Sequence, residues 1–153
     1  MSMFRSLQKI YSSEIIVPVV IRSIVGLNMA GILALVGYVG GSFFGVAVSF
    51  GVSLFIAKMT GITIGALIGG SFAWLKPGSG PQVNIMFVLA AIGGALAGAW
   101  LGYLYGIEKA GMLPNPTDAD QVFRVTWVLG AVLGANLPGL CISLYRGIRY
   151  REL

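Results

Sequence analysis

Lys58 and Arg124 are charged residues that interrupt long apolar stretches of this sequence. An ionisable side chain inside a membrane usually marks a proton relay, an ion pathway or a ligand site. A long basic side chain near the end of a span can instead extend to the interface, and this interpretation is favoured for both residues. If the two side chains meet in the fold, they would form a positive site for an anionic lipid headgroup or a partner's carboxylate.

Other reactive side chains are scarce, which predicts a protein that is not an enzyme. The sequence has no histidine, and its single cysteine, Cys141, lies in an apolar run and is interpreted as a small packed hydrophobe. Zinc sites built from Cys and His, His-ligated haem and nucleophile–base pairs are therefore excluded for this chain acting alone. A bound lipid, or a pigment or quinone at a subunit interface, stays open. All carboxylates fall in predicted tails or loops: Glu14, Glu108, Asp118, Asp120 and Glu152.

The composition predicts an all-α integral membrane protein with a single membrane domain. Of the 153 residues, 57% are hydrophobic and 10% charged, against about 25% charged in soluble domains, and the mean hydropathy is +0.89. The net charge of +5 is not read as nucleic-acid binding, because most basic residues lie beside predicted span ends, where they set topology and contact headgroups.

Hydropathy and turn signals divide the chain into four spans. The apolar stretch 23–75 would be ~80 Å long as one helix, against a hydrocarbon core of ~30 Å, so it must fold back. We place the turn at 44–50, with Gly40-Gly41 as an alternative. Lys76 and the Pro/Gly run 77–81 separate the second and third spans. A polar loop, 108–120, precedes a capping-box spacing of Thr117 and Asp120. The predicted spans are 23–43, 51–75, 84–107 and 121–144.

The two ends are predicted to lie at the membrane surface. Apolar residues at helical spacing indicate a short interfacial amphipathic helix over 1–13, and residues 145–153 form a basic, aromatic tail. Seven basic residues fall on one side of the four-span arrangement and three on the other, so both termini are expected on the positive, cytoplasm-like side. The membrane itself is expected to be a bacterial inner membrane or an organelle's energy-transducing membrane. The alternative is five spans, with an extra one over 15–35 that would place Pro18 and Arg22 inside a helix.

Small residues at every fourth position predict helix-packing faces. Such residues share one face of a helix and let two backbones approach closely, which matters in lipid because no hydrophobic effect drives helices together. The packing glycines are Gly37, Gly41, Gly45, Gly61, Gly65, Gly69, Gly94, Gly98, Gly102 and Gly106, with a weaker repeat at Gly130 and Gly134.

A few polar and aromatic residues inside the predicted spans are expected to have structural roles. Asn28 and Asn136 are expected to hydrogen-bond between helices, and Pro138 is expected to kink the fourth span and free the carbonyl of Gly134. The three tryptophans lie near predicted span ends and are interpreted as an interface belt: Trp74, Trp100 and Trp127.

Packing faces and basic anchors without reactive groups favour a non-catalytic structural or accessory subunit of a larger membrane complex, respiratory or photosynthetic in type. Its partners would be membrane lipids and other integral membrane subunits, not nucleic acid. The rival hypothesis is a small homo-oligomeric channel or transport protein whose glycine faces join copies around a pore. Candidate lipid or partner contacts are Lys58, Arg124, Arg146, Arg149 and Arg151.

Overall fold

The computed structural model describes residues 13–47, 53–75 and 80–149. This part of the chain contains four α-helices, each long and apolar enough to cross a membrane, which confirms the expected all-helical architecture and helix number. The predicted interfacial helix falls almost wholly on residues 1–12, outside the described ranges. The helices are α1 (Ser13–Ala47), α2 (Leu54–Trp74), α3 (Pro81–Ala110) and α4 (Pro116–Arg149).

Helix α1 begins well before the predicted start near residue 23 and includes both Pro18 and Arg22. The expectation that these residues would not lie in a helix is wrong. Pro18 occupies the second turn of α1, where its missing N–H removes only the bond to the carbonyl of Glu14. The segment 15–35 is part of this continuous helix and does not form a separate fifth span.

The first helix ends later, and the second begins later, than the predicted spans 23–43 and 51–75. Helix α1 continues through Gly40 and Gly41 to Ala47, so the alternative turn at these glycines is wrong. Gly41 is retained in the helix because its backbone packs against Ala57 of α2, where a Cβ would not fit. Close helix contact thus outweighs the low helix propensity of glycine, ~1 kcal/mol relative to Ala.

Helix α4 starts with Asn115 and Pro116, not with the predicted capping box of Thr117 and Asp120. The backbone N–H of Thr117 donates to Asn115 Oδ1 at 3.0 Å, and Pro116 is the first helical residue. The Asn115 side chain accepts a hydrogen bond from one of the free backbone N–H groups at the helix start. Pro116 has no N–H, so it leaves no donor without a partner there. The carboxylate of Asp120 is therefore available to pair with Arg124, one turn later.

The other helix ends also extend past the predicted spans. Pro81, expected in the loop, is the first residue of α3, and α4 runs on to Arg149, so Arg146 and Arg149 belong to its last turns. Lys76 and Arg151 lie outside the described residues.

The helices pack as two hairpins, with the most extensive contacts between α1 and α2 and between α3 and α4. Smaller contacts join α4 to α1 and α2, and α2 to α3. The centre is made of small side chains, while many large apolar ones point outward, Phe43 being 74% exposed. This distribution is suited to lipid. In a bilayer, helices associate through close backbone packing, because burying large hydrophobic side chains between helices gives no gain over lipid contact. The fully buried alanines are Ala30, Ala34, Ala66, Ala131 and Ala135.

Candidate functional site

Tyr38 of α1 lies among three charged side chains from α2 and α4. We call the group the Tyr38 cluster: Tyr38, Lys58, Asp120 and Arg124. The Arg124 guanidinium donates to the Tyr38 hydroxyl at 3.0 Å and forms an ion pair with Asp120. On the other side, Lys58 Nζ lies 5.2 Å from the centroid of the Tyr38 ring, within the range of a cation–π contact. Two cations and one carboxylate give the cluster a net positive charge.

The structure therefore brings Lys58 and Arg124 to the same tyrosine. Each belongs to the early turns of its helix, α2 or α4, and Tyr38 belongs to the second half of α1. The side chains of Arg124 and Asp120 are 44% and 51% exposed, so the cluster is open at its outer side. This geometry can hold an anion, because a guanidinium has five N–H donors and only some of them are used here.

Next to this cluster, aromatic side chains of α2, α3 and α4 pack on one another. Phe123 lies between the rings of Phe55 and Tyr103, each with its centroid 5.4 Å away. Trp127 meets Phe55 and Tyr103 edge-on and donates its indole N–H to Thr63 Oγ1 at 3.2 Å. Trp127 is thus a partly buried packing residue that joins α2 to α4, in addition to lying near a helix end.

A second polar contact lies deep between α1, α2 and α4. Trp74 Nε1 donates to Asn136 Oδ1 at 3.4 Å, and the Asn136 amide donates to the Val132 carbonyl at 2.8 Å. Asn136 is 4% exposed and Trp74 1%, so Trp74 is a core residue and its assignment to an interface belt is wrong. Gly139 makes room for the indole, since a Cβ there would lie 2.5 Å from ring carbons of Trp74.

The two asparagines predicted to join helices behave differently. Asn136 connects α4 to Trp74 of α2. Asn28 is exposed and donates to the carbonyl of Ile24, one turn earlier in its own helix, at 2.8 Å. The amide of Asn28 is thus satisfied locally, by the back-bonding that Ser, Thr and Asn side chains commonly adopt in helices.

The glycines of the first two spans lie opposite one another across the α1–α2 interface. A Cβ at Gly37 would collide with the Gly61 carbonyl, and a Cβ at Gly61 with the Gly37 carbonyl. Gly45 lies against Leu54 and Ala57. Along α2, Gly65 faces the carbonyl of Leu33, and Gly69 faces the backbone at Met29 and Ala30.

The α3–α4 interface has the same construction. Gly98 and Gly130 approach one another reciprocally, as do Gly94 and Gly134, and Gly102 and Gly106 lie against Thr126. Pro138 lies inside α4 and has no N–H to donate to Gly134. The Gly134 carbonyl oxygen lies against Gly94, so the neighbouring helix covers it.

Among the described residues, grooves large enough to hold part of a ligand or another helix include the following three. The largest, about 530 Å³, follows the outer side of the α3–α4 interface, with glycines such as Gly98 and Gly134 between exposed leucines such as Leu101 and Leu137. A groove of about 340 Å³ lies between α2 and α3 beside Trp100 and Trp127. The third, about 320 Å³, runs between α1 and α4 and ends at Tyr38 and Arg124.

Tyr38 is the residue of this candidate site that the sequence analysis does not single out. Its only signal is a hydroxyl-bearing aromatic in the middle of an apolar stretch, away from the span ends where tyrosine is expected. Its contacts with Lys58 and Arg124 join residues that are distant in sequence, so they depend on how α1, α2 and α4 assemble. The chemistry of the site follows from this assembly.

Comparison of the chain with protein-family models, curated proteins and solved structures finds no match. Within the described ranges, no group of three His, Cys, Asp or Glu side chains is placed to hold a metal ion.

Proposed function

We propose that the chain is an integral membrane protein that serves as a non-catalytic accessory subunit of a larger membrane complex in a bacterial inner membrane or an organelle's energy-transducing membrane. Both termini would lie on the cytoplasm-like side, because an even number of crossings returns the chain to the side that carries most basic residues. The supporting observation is the groove of about 530 Å³ along the α3–α4 interface.

This groove has the shape and composition that a helix of another subunit needs. Its lining is apolar apart from the hydroxyls of Thr126 and Tyr105, and it extends along α3 from Gly94 to Tyr105, a length of ~16 Å at 1.5 Å per residue. Small residues in the groove allow a partner's backbone to approach closely, which is the main source of helix association in lipid. Leu101 and Leu133, both exposed, would pack against the partner's sides.

The test is to obstruct the groove without altering the fold. Ala97 lines the groove and is exposed, so Ala97→Trp adds a large side chain where the partner would lie. Leu104→Trp is the matched control, because Leu104 is also an exposed residue of α3 but lines none of the three grooves. The native membrane is solubilised in mild detergent and the particle that contains the chain is sized and its subunits identified.

The accessory function predicts a large particle with unrelated subunits, which Ala97→Trp disrupts and Leu104→Trp preserves. A particle that contains only copies of this chain and conducts ions in liposomes would refute the proposal and support the homo-oligomeric channel. A chain that remains monomeric in every mild detergent would refute both.

A further inference from the structure

The groove between α1 and α4 is amphipathic along its length. Its walls are apolar and include Leu35 of α1 and Val125 and Leu129 of α4, while its polar groups, Tyr38 and Arg124, lie together in the Tyr38 cluster. The volume of about 320 Å³ falls at the lower end of the ~300–1,000 Å³ that small-molecule sites occupy. An occupant must therefore have a polar end and an apolar chain.

The charge of the Tyr38 cluster selects the polar end. Arg124 is shared between Tyr38 and Asp120, and Lys58 faces the Tyr38 ring but pairs with no carboxylate among the described side chains. Lys58 is half-buried as a residue, and a positive charge beside the groove favours an anionic partner over a neutral one. A phosphate beside Tyr38 would supply that partner to Lys58 and accept hydrogen bonds from the free donors of Arg124.

We infer that this groove binds an anionic phospholipid, with the phosphate at Arg124 and one acyl chain along Leu35, Val125 and Leu129. Lys58 lies outside the groove lining, over the Tyr38 ring, and its long side chain would turn toward the bound phosphate. The Tyr38 hydroxyl holds the guanidinium in place, and Asp120 fixes its orientation from the other side. The inference rests on the proposed insertion of the chain in a membrane, but it does not depend on membership of a complex.

Binding is tested on the purified full chain in mild detergent, with phosphatidylglycerol and phosphatidylcholine of the same acyl chains as probes. Retained lipid is counted by native mass spectrometry over a lipid titration. The wild-type chain should bind phosphatidylglycerol at least about tenfold more tightly than phosphatidylcholine, since hydrogen bonds to charged groups supply that much discrimination.

Lys58→Met should remove about tenfold of the affinity for phosphatidylglycerol and leave that for phosphatidylcholine unchanged. Lys109→Met is the matched control, because Lys109 also lies over a tyrosine ring, 5.4 Å from the Tyr105 centroid, but Tyr105 does not line this groove, whereas Tyr38 does. Val125→Trp should fill the groove and abolish binding of both lipids, and Leu104→Trp should change neither. Thermal unfolding of each variant without added lipid verifies that it folds.

Equal binding of the two lipids, or equal effects of Lys58→Met and Lys109→Met, would overturn the inference. Displacement of phosphatidylglycerol by the same concentration of inorganic phosphate would assign the site to a free anion. If Lys58→Met releases the chain from its native particle without altering lipid binding, the cluster holds a partner's carboxylate and the lipid site is refuted. Val125→Trp should abolish lipid binding but leave the size of the native particle unchanged, because Val125 does not line the α3–α4 groove. Failure of the lipid site can thus be distinguished from failure of the accessory function.

Discussion

Replacing Gly98 with alanine tests whether close backbone contact holds α3 and α4 together. A Cβ at Gly98 would collide with the Gly130 carbonyl oxygen and would lie 2.9 Å from both the Gly130 carbonyl carbon and the Gly134 Cα. Carbon atoms in contact are normally ~3.5–4.0 Å apart, so the helices must separate. Gly93, five residues earlier in α3, is the matched control, because a Cβ there meets nothing within 4 Å.

The expected magnitude follows from two opposing contributions. Alanine is favoured over glycine in a helix by ~1 kcal/mol, and this gain applies equally to Gly93→Ala and Gly98→Ala. Forcing an extra carbon into a well-packed interface costs ~1–3 kcal/mol, and only Gly98→Ala incurs this cost. We therefore expect Gly93→Ala to match or slightly exceed the wild-type stability, with Gly98→Ala less stable than Gly93→Ala by ~1–3 kcal/mol.

Unfolding in mixed micelles, with a rising fraction of sodium dodecyl sulfate, measures this difference. Tryptophan fluorescence is a suitable signal because Trp74 and Trp127 both hydrogen-bond across helices. The contact of Gly98 with Gly130 is reciprocal, so once one alanine has separated the helices the second meets less resistance. The decrease in unfolding free energy in the double variant Gly98→Ala/Gly130→Ala should be smaller than the sum of the two single decreases by at least ~0.5 kcal/mol. Equal stability of Gly93→Ala and Gly98→Ala would refute the packing argument.

Two further predictions use the same unfolding assay with matched controls. Asn136→Ala leaves the buried indole N–H of Trp74 without its acceptor. It should destabilise the fold by ~0.6–1.7 kcal/mol, between the average and the maximum found for hydrogen bonds between membrane helices. Asn28→Ala, which removes only a bond within one helix, should cost less, and the opposite order would contradict the assignment of Asn136. Asn115→Ala removes the side-chain acceptor at the start of α4 and should lower the unfolding free energy by ~0.5–2 kcal/mol, with faster amide hydrogen exchange in the first turn. A larger destabilisation by Thr117→Ala would contradict the Asn115 cap and favour the capping box of Thr117 and Asp120.

The number of helices could be predicted from sequence because it depends on local properties. Apolar length and the Pro/Gly run 77–81 are visible without any tertiary contact. The predicted start of α4 is wrong although its signal is local as well. The capping-box spacing of Thr117 and Asp120 predicts a later start, and Asn115-Pro116 falls within the predicted polar loop 108–120. An Asn followed directly by Pro is the stronger helix-start signal here, since proline is pre-organised for the first helical position.

Contacts between distant segments could not be predicted in this way. Trp74 stands at the end of an apolar stretch, where an interface tryptophan is common, and only the opposing Gly139 and Asn136 of α4 explain its burial. The Tyr38 cluster is similar, because its members come from three helices. The positive charges of Lys58 and Arg124 were evident from the sequence, but the tyrosine between them depends on the rotation of α1 about its own axis.

The glycines divide into two groups, and this division bears on how the chain could meet other proteins. Every glycine predicted to pack helices has a neighbouring helix within its own chain, whereas a Cβ at Gly31, Gly40 or Gly93 would meet nothing within 4 Å. A pore joined through the predicted glycine faces would have to use surfaces that already hold the two hairpins together. A partner helix that packs on these small residues must therefore approach from the outer side of the interfaces, and the groove of about 530 Å³ along α3 and α4 is such a surface. On the proposed function, the same small residues would hold α3 against α4 and admit a partner helix from outside, while the proposed lipid site lies in the separate groove between α1 and α4.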